Sequence, residues 1–223
     1  MYISHKYKFV FLRTPKTASS SLSDFFVKNI DDPNAIYTPI DDTRNLGKNL
    51  PNNILRKYDK FSWAHLTLEN IVEEGMIEEK DLHLYKKIAV LREPLDRELS
   101  LYYHYKKFNE LKLARGNPPN IAEYRSITKN GHFETVNGAK KQSDFLKFKN
   151  EIVGTYILYE NLEDSIKKFM KEIGADIKYP LPRHKSDARP NVDHFTFENA
   201  DIERIKSYFY EDFVLYEKLK NEM

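Results

Sequence analysis

The chain contains no cysteine, which excludes disulfides, thiolate metal sites and cysteine nucleophiles. It also carries almost no net charge, since 36 basic residues against 34 acidic ones leave +2. A general nucleic-acid binder has a strong basic excess, so that class is excluded while a local basic cleft is not. No apolar run approaches the roughly 20 residues that cross a bilayer as a helix. The stretch Met1 to Lys8 is too short and polar for a secretory leader, so a cytoplasmic protein is expected from the chain as given. There is no internal repeat and no low-complexity tract. What is present is a composition of 40% hydrophobic and 13% aromatic residues over 223 positions. That suffices for a sizeable core and fits one domain, residues 1–223.

The most informative stretch is Phe9-Val-Phe-Leu-Arg-Thr-Pro-Lys-Thr-Ala-Ser-Ser-Ser-Leu22. Phe9 to Leu12 is a short continuous apolar run, as expected of a strand covered on both faces. Pro15 stops it, and Leu22, Phe25, Phe26 and Ile30 then recur at helical spacing on one face. Between them Lys16, Thr17, Ser19, Ser20 and Ser21 place a cation and hydroxyls at a helix N-terminus. Unpaired amides and the positive end of the helix dipole make that place suited to an anion. Ser and Thr are also ordinary N-caps, so a capped helix start is the plain alternative.

Further along, Ala35–Thr38 reads as a second strand and 41–60 as a polar, turn-rich excursion. Phe61–His65 reads as a third strand, followed by a short helix with Thr67 as its N-cap. Lys86–Leu91 is a buried strand ending in Arg92. Pro94 then opens a helix whose apolar face is Leu95, Leu99, Tyr102 and Tyr103. Residues 109–142 read as a variable insertion with short helices near an acceptor site, and Asp144–Lys149 as helical. Gly154–Tyr159 is another buried strand, with a helix after it that ends at Gly174. A basic, proline-pinned loop over 179–191 leads to one or two closing helices around Ile202, Ile205, Phe209, Tyr216 and Leu219. Strands alternating with helices predict an α/β three-layer sandwich on a central parallel sheet. Ligands gather at the carboxyl ends of such strands, where Lys16, His65 and Arg92 are expected.

The Lys16 loop has the layout of a Walker A P-loop without the glycines that let a backbone wrap phosphates. Pro15-Lys16-Thr17-Ala18-Ser19-Ser20-Ser21 instead resembles the 5′-phosphosulfate loop of sulfotransferases that use 3′-phosphoadenosine 5′-phosphosulfate (PAPS). The second element is Ile88-Ala-Val-Leu-Arg-Glu-Pro-Leu-Asp-Arg-Glu-Leu-Ser100, a strand ending in arginine with a serine eight positions on. It resembles the same family, and its carbohydrate branch, which includes the heparan sulfate 2-O-sulfotransferases, is the most similar. His184-Lys-Ser-Asp-Ala-Arg189 resembles that branch's late loop, and Tyr159-Glu-Asn-Leu-Glu-Asp164 its late strand–helix unit.

The resemblance implies a P-loop NTPase-like fold and sulfuryl transfer from PAPS to a hydroxyl acceptor, a glycan or a small molecule, with PAP as product and no metal. It implies that Arg13, Pro15, Lys16, Thr17, Ala18, Ser19, Ser20 and Ser21 hold the 5′ end. It also implies that Arg92 and Ser100 hold the 3′-phosphate and that Lys185, Ser186 and Arg189 close over the nucleotide.

The chemistry stands beside the name. A cation at the bridging oxygen of the leaving phosphate stabilises the transition state more than the ground state, and Lys16 is the candidate. Arg92 has the planar fork that suits a phosphate; a salt bridge to Glu93, Asp96 or Glu98 is its structural alternative. The acceptor hydroxyl needs a base, for which His65 is the candidate, with Asp41, Asp42 and Glu69 as rivals. His104 reads as packing or acceptor contact. A P-loop-like small-metabolite kinase and a catalytically inactive nucleotide-binding protein are the alternative functions.

Overall fold

The computed structural model describes residues 1–38, 49–51, 63–114, 140–184, 197 and 199–222, with only the backbone for Trp63 and 105–114. The chain forms two compact units, Met1–Leu91 with Gln142–His184, and Arg92–Lys141 with Lys185–Met223. Among the described residues no helix is long and apolar enough to cross a membrane.

The first unit is built on a five-stranded sheet. Its strands are β1 (Tyr2–Ser4), β2 (Phe9–Leu12), β3 (Ile36–Tyr37), β4 (Lys86–Leu91) and β7 (Thr155–Leu158), in the order β3-β1-β2-β4-β7. β2, β4 and β7 are parallel neighbours, with Leu12 opposite Ala89 and Leu91 opposite Leu158. β1 runs antiparallel to both β2 and β3. The sheet is therefore mixed and mostly parallel, which corrects the all-parallel expectation. The expected strand at 61–65 is corrected too: its described part, Trp63–His65, is a 3-10 turn. The place beside β2 belongs to β1, from the stretch read as a polar lead. Three residues are enough because Tyr2 and Ile3 point to opposite faces and are both buried.

Both faces of the sheet are covered, as parallel neighbours require. On one face Phe9, Phe11, Ile88, Val90 and Ile157 meet α1 (Ser19–Asn29) and α4 (Leu162–Glu172). Phe26 of α1 is the hub, with ring centroids of Tyr2, Phe9 and Phe11 at 5.7, 5.2 and 5.3 Å. α1 thus buries the stripe read from its 3.6-residue period, and it starts where β2 ends. The short helix α2 (Leu68–Glu73) begins at Thr67, which forms a capping box with Asn70 as expected of an N-cap.

The segment expected to be helical over 144–149 is instead a 3-10 turn, Gln142–Asp144, followed by a hairpin of β5 (Lys147–Phe148) and β6 (Glu151–Ile152). Lys149 and Asn150 turn it with φ of 50° and 65°, the two consecutive positive angles of a tight hairpin turn. Gly154 then brings the chain against β4 so closely that a Cβ there would lie 2.7 Å from the Lys87 carbonyl oxygen.

The second unit is helical where described. α3 (Pro94–Ala114) is one continuous helix, so residues 109–114 belong to it, and the rest of the expected insertion to 139 lies outside the described residues. α5 (Asn199–Tyr208) and α6 (Tyr210–Asn221) are the two expected closing helices. Ile205 and Phe209 form their buried centre, with Leu95, Tyr208 and Phe213 packed around it. Arg97 and Glu98 of α3 are fully buried, together with Pro94 and Leu101. The inward stripe of α3 therefore runs 94, 97, 98, 101. Of the expected apolar face, Tyr103 is buried, while Leu95, Leu99 and Tyr102 are half-buried.

Candidate functional site

The turn from β2 into α1 is held from below. The Thr14 hydroxyl donates to the Val90 carbonyl at 2.6 Å, extending the β2–β4 pairing by one side chain after the strand has ended. The Thr17 hydroxyl turns inward as well and donates to the Thr14 carbonyl at 2.8 Å. It lies 2.7 Å from the Thr14 hydroxyl, and both residues are fully buried. The Thr17 side chain is thus part of the loop's internal frame. Exposure alternates above it: Arg13–Pro15, Thr17 and Ser19 are buried, while Lys16, Ala18 and Ser20 are half-buried.

Two of these outward residues hold left-handed backbone, Lys16 with φ 64° and Ala18 with φ 57°. A residue with a Cβ pays about 1–2 kcal/mol for that conformation, and a P-loop has glycines to avoid it. Left-handed residues within a tight turn direct neighbouring N–H groups to one side, the concavity that receives anions. The N-cap of α1 is Ala18, which has no side-chain acceptor. The plain alternative of a Ser or Thr cap is therefore not what the helix uses. Its first-turn amides carry no side-chain cap, and Ser19, Ser20 and Ser21 lie within the first turn.

The hydroxyls are oriented by donors from the protein. Ser20 Oγ accepts from Arg13 Nη2 at 3.3 Å, and Ser21 Oγ accepts from the His184 amide at 3.0 Å. A serine that accepts one bond still holds a proton to donate. His184 Nε2 also lies 2.8 Å from Asp24 Oδ2, which Lys28 approaches at 2.8 Å. Burial pushes the Asp24 carboxyl up, but hydrogen bonds from Lys28 and His184 outweigh it and hold it below the usual range. One turn on, Asn29 Oδ1 accepts from the amides of Lys178 and Tyr179 at 2.7 and 2.8 Å. The chain from 178 to 184 is in this way fastened along α1. Lys185, Ser186 and Arg189 lie outside the described residues.

Arg13 closes the strand. It is 5% exposed, its Nη1 reaches Thr38 Oγ1 at 3.4 Å, and burial lowers its pKa to about 10, which leaves it charged at neutral pH. Its carbonyl accepts a hydrogen bond from His65 Nδ1 at 2.6 Å. A carbonyl can only accept, so Nδ1 carries the proton and the acceptor nitrogen of the neutral ring is Nε2. His65 is therefore not at a strand end as expected, yet it is tied to the residue that begins the Lys16 loop. Of the rival bases, Glu69 is exposed on the first turn of α2, and Asp41 and Asp42 lie outside the described residues.

In the second unit, Arg92 is 9% exposed and its Nε donates to Asp96 Oδ2 at 2.5 Å. The salt bridge given as its structural alternative is thus present, through one edge of the guanidinium. The Glu93 carboxylate accepts from the Asp96 amide at 2.6 Å, holding the first turn of α3. Ser100 is half-buried and His104 exposed. Arg97, fully buried, is not among the residues expected at the site. Its Nη2 donates to the Lys140 carbonyl at 2.9 Å, and its guanidinium lies 5.1 Å from the Phe209 ring centre. Its only sequence signal is its place three residues after Pro94 and four before Leu101 on one helical stripe.

The model of a protein family described as the sulfotransferase family matches residues 1–218. No curated protein and no solved structure matches the chain.

Proposed function

The chain belongs to the sulfotransferase family, and from that premise we propose that it moves a sulfuryl group from PAPS to a hydroxyl of a carbohydrate acceptor. The observation that carries the reading is the start of α1. It is a helix N-terminus without a side-chain cap, beside Lys16 and beside Ser20, whose hydroxyl oxygen accepts from Arg13 and so keeps its proton to donate. These groups suit a dianionic phosphate.

In this reading the amides of residues 17–20 and the Ser19 and Ser20 hydroxyls take the 5′-phosphate, while Pro15, Thr17 and Ala18 shape the loop and Ser21 fastens His184. Arg92 and Ser100 take the 3′-phosphate, and Lys185, Ser186 and Arg189 cover the nucleotide. PAPS supplies an activated sulfuryl group on a phosphate leaving group. Lys16 stabilises the charge that grows on the bridging oxygen as the bond breaks. His65 Nε2 accepts the proton of the attacking hydroxyl, its Nδ1–H being held by the Arg13 carbonyl.

The test is a pair of variants assayed for PAP release from PAPS with a panel of hydroxylated sugars, alongside PAP affinity. Lys16→Ala should lower turnover by about 100–1,000-fold, the scale of one lost transition-state donor, with PAP affinity changed far less. Arg92→Ala should chiefly weaken PAP binding. Equal, small effects of both on turnover would contradict the assignment.

A further inference from the structure

We propose that Arg13 is a positioning residue that holds the base and the phosphate loop in register, a role that rests on the sulfotransferase reading above. Three elements meet on it. Its carbonyl takes the His65 Nδ1–H at 2.6 Å. Its guanidinium spans from Thr38 Oγ1, just past β3, at 3.4 Å to Ser20 Oγ, in the first turn of α1, at 3.3 Å. The side chain is buried and stays charged, so it is a permanent two-ended donor.

The consequence is a tautomer. An imidazole in solution distributes its proton between both nitrogens, and only the form with a lone pair on Nε2 presents a base on the side away from Arg13. Fixing the Arg13 backbone by both arms of its guanidinium fixes the direction of its carbonyl, and the carbonyl selects the Nδ1–H form. The same guanidinium holds the Ser20 oxygen by its lone pair and so turns the hydroxyl proton outward. One residue thereby sets the proton position on the base and on a phosphate-loop hydroxyl. In the reaction, the acceptor oxygen forms the new S–O bond as its proton passes to His65 Nε2. The S–O bond to the 5′-phosphate breaks, and its electron pair leaves with PAP.

The test uses the full chain labelled with ¹⁵N-histidine. His65 is assigned by its loss in His65→Asn, a variant whose amide nitrogen can keep the bond to the Arg13 carbonyl. The wild-type protein should show His65 as the Nδ1–H tautomer; an Nε2–H tautomer would overturn the proposal without any variant. Arg13→Met should mix the tautomers and lower the rate of PAPS hydrolysis, with water as acceptor, at least 10-fold, while the KM for PAPS stays within about threefold; Arg13→Lys should recover part of the rate. A parallel loss of PAP affinity would instead make Arg13 a nucleotide ligand, and an unchanged tautomer and rate would leave it no positioning role; either result overturns the proposal. Absence of PAP binding and PAPS turnover in the wild type would refute the sulfotransferase reading, and the tautomer measurement would still stand by itself.

Discussion

Thr14 shows how much of the candidate site depends on single atoms. It satisfies the Val90 carbonyl after β2 has ended, so Thr14→Val leaves a buried acceptor without a donor. The expected loss is about 1–3 kcal/mol, read as a lower urea midpoint at unchanged m-value. Thr14→Ser keeps the hydroxyl and should restore most of it; a loss in Thr14→Ser with little in Thr14→Val would mean that the methyl, not the hydrogen bond, matters. The same scale sets what could be read from the chain alone. Lys16 stands out in the chain because a lysine directly after a strand-ending proline has few other uses. The bond from His65 to the Arg13 carbonyl does not, because a backbone acceptor 52 residues away leaves no mark in side-chain type. Arg13 itself reads as one more loop cation until its burial is seen.

Among the elements, β2, β4, β7 and α1 were legible because each buries a continuous run or a clean stripe. β1 was not: its pairing is made by a hairpin through residues 5–8, and three residues carry no period. α3 was placed correctly and Tyr103 is buried as expected, but the rest of the expected face is only half-buried. Its buried stripe includes Arg97 and Glu98, and a pattern that equates inside with apolar turns the helix toward Leu95, Leu99 and Tyr102. The hairpin at 147–152 was missed because Lys149 and Asn150 adopt positive φ without glycine. Gly154 gives the sharpest test at this scale. A methyl group there would meet the Lys87 backbone oxygen at 2.7 Å and the Leu146 side chain at 2.9 Å. Backbone cannot step aside cheaply, so Gly154→Ala should destabilise the first unit by about 1–3 kcal/mol, the range for overpacking. An unchanged urea midpoint would show that β7 is not seated on β4 as described.

For the molecule as a whole, the buried carboxylates set the response to acid. Burial raises the Asp32 carboxyl, but hydrogen bonds from Ser4 and from the amides of Lys6 and Asn34 prevail and lower it. Asp24 behaves alike. A carboxyl lowered in the folded state is less protonated there than in the unfolded chain, so its stabilisation is complete above about pH 4 and is lost as pH falls through the folded value. His5, lowered chiefly by burial, acts in the same direction from about pH 6.5 downward. Urea midpoints should therefore decline from pH 7 into acid, and Asp32→Asn should lower stability at pH 7 while flattening the acid limb. An acid limb as steep as in the wild type would contradict the role given to Asp32. The α/β class and the family were legible at this scale because two stretches that resemble the family's motifs follow two buried strands. The division into two units was not, because the chain passes between them three times, at Leu91–Arg92, Lys141–Gln142 and His184–Lys185.

Under the proposed function this chain binds a nucleotide phosphorylated at both ends, and thermal unfolding with PAP, 5′-AMP or ATP checks this in a single experiment. A ligand at 100 times its Kd adds about 2.7 kcal/mol to the folded state, or about 5–10 °C in Tm for a chain of this size. PAP should give a shift of that order at concentrations where 5′-AMP and ATP give little, and Arg92→Ala should remove the difference. Equal shifts from PAP and 5′-AMP, or a larger one from ATP with Mg²⁺, would contradict it.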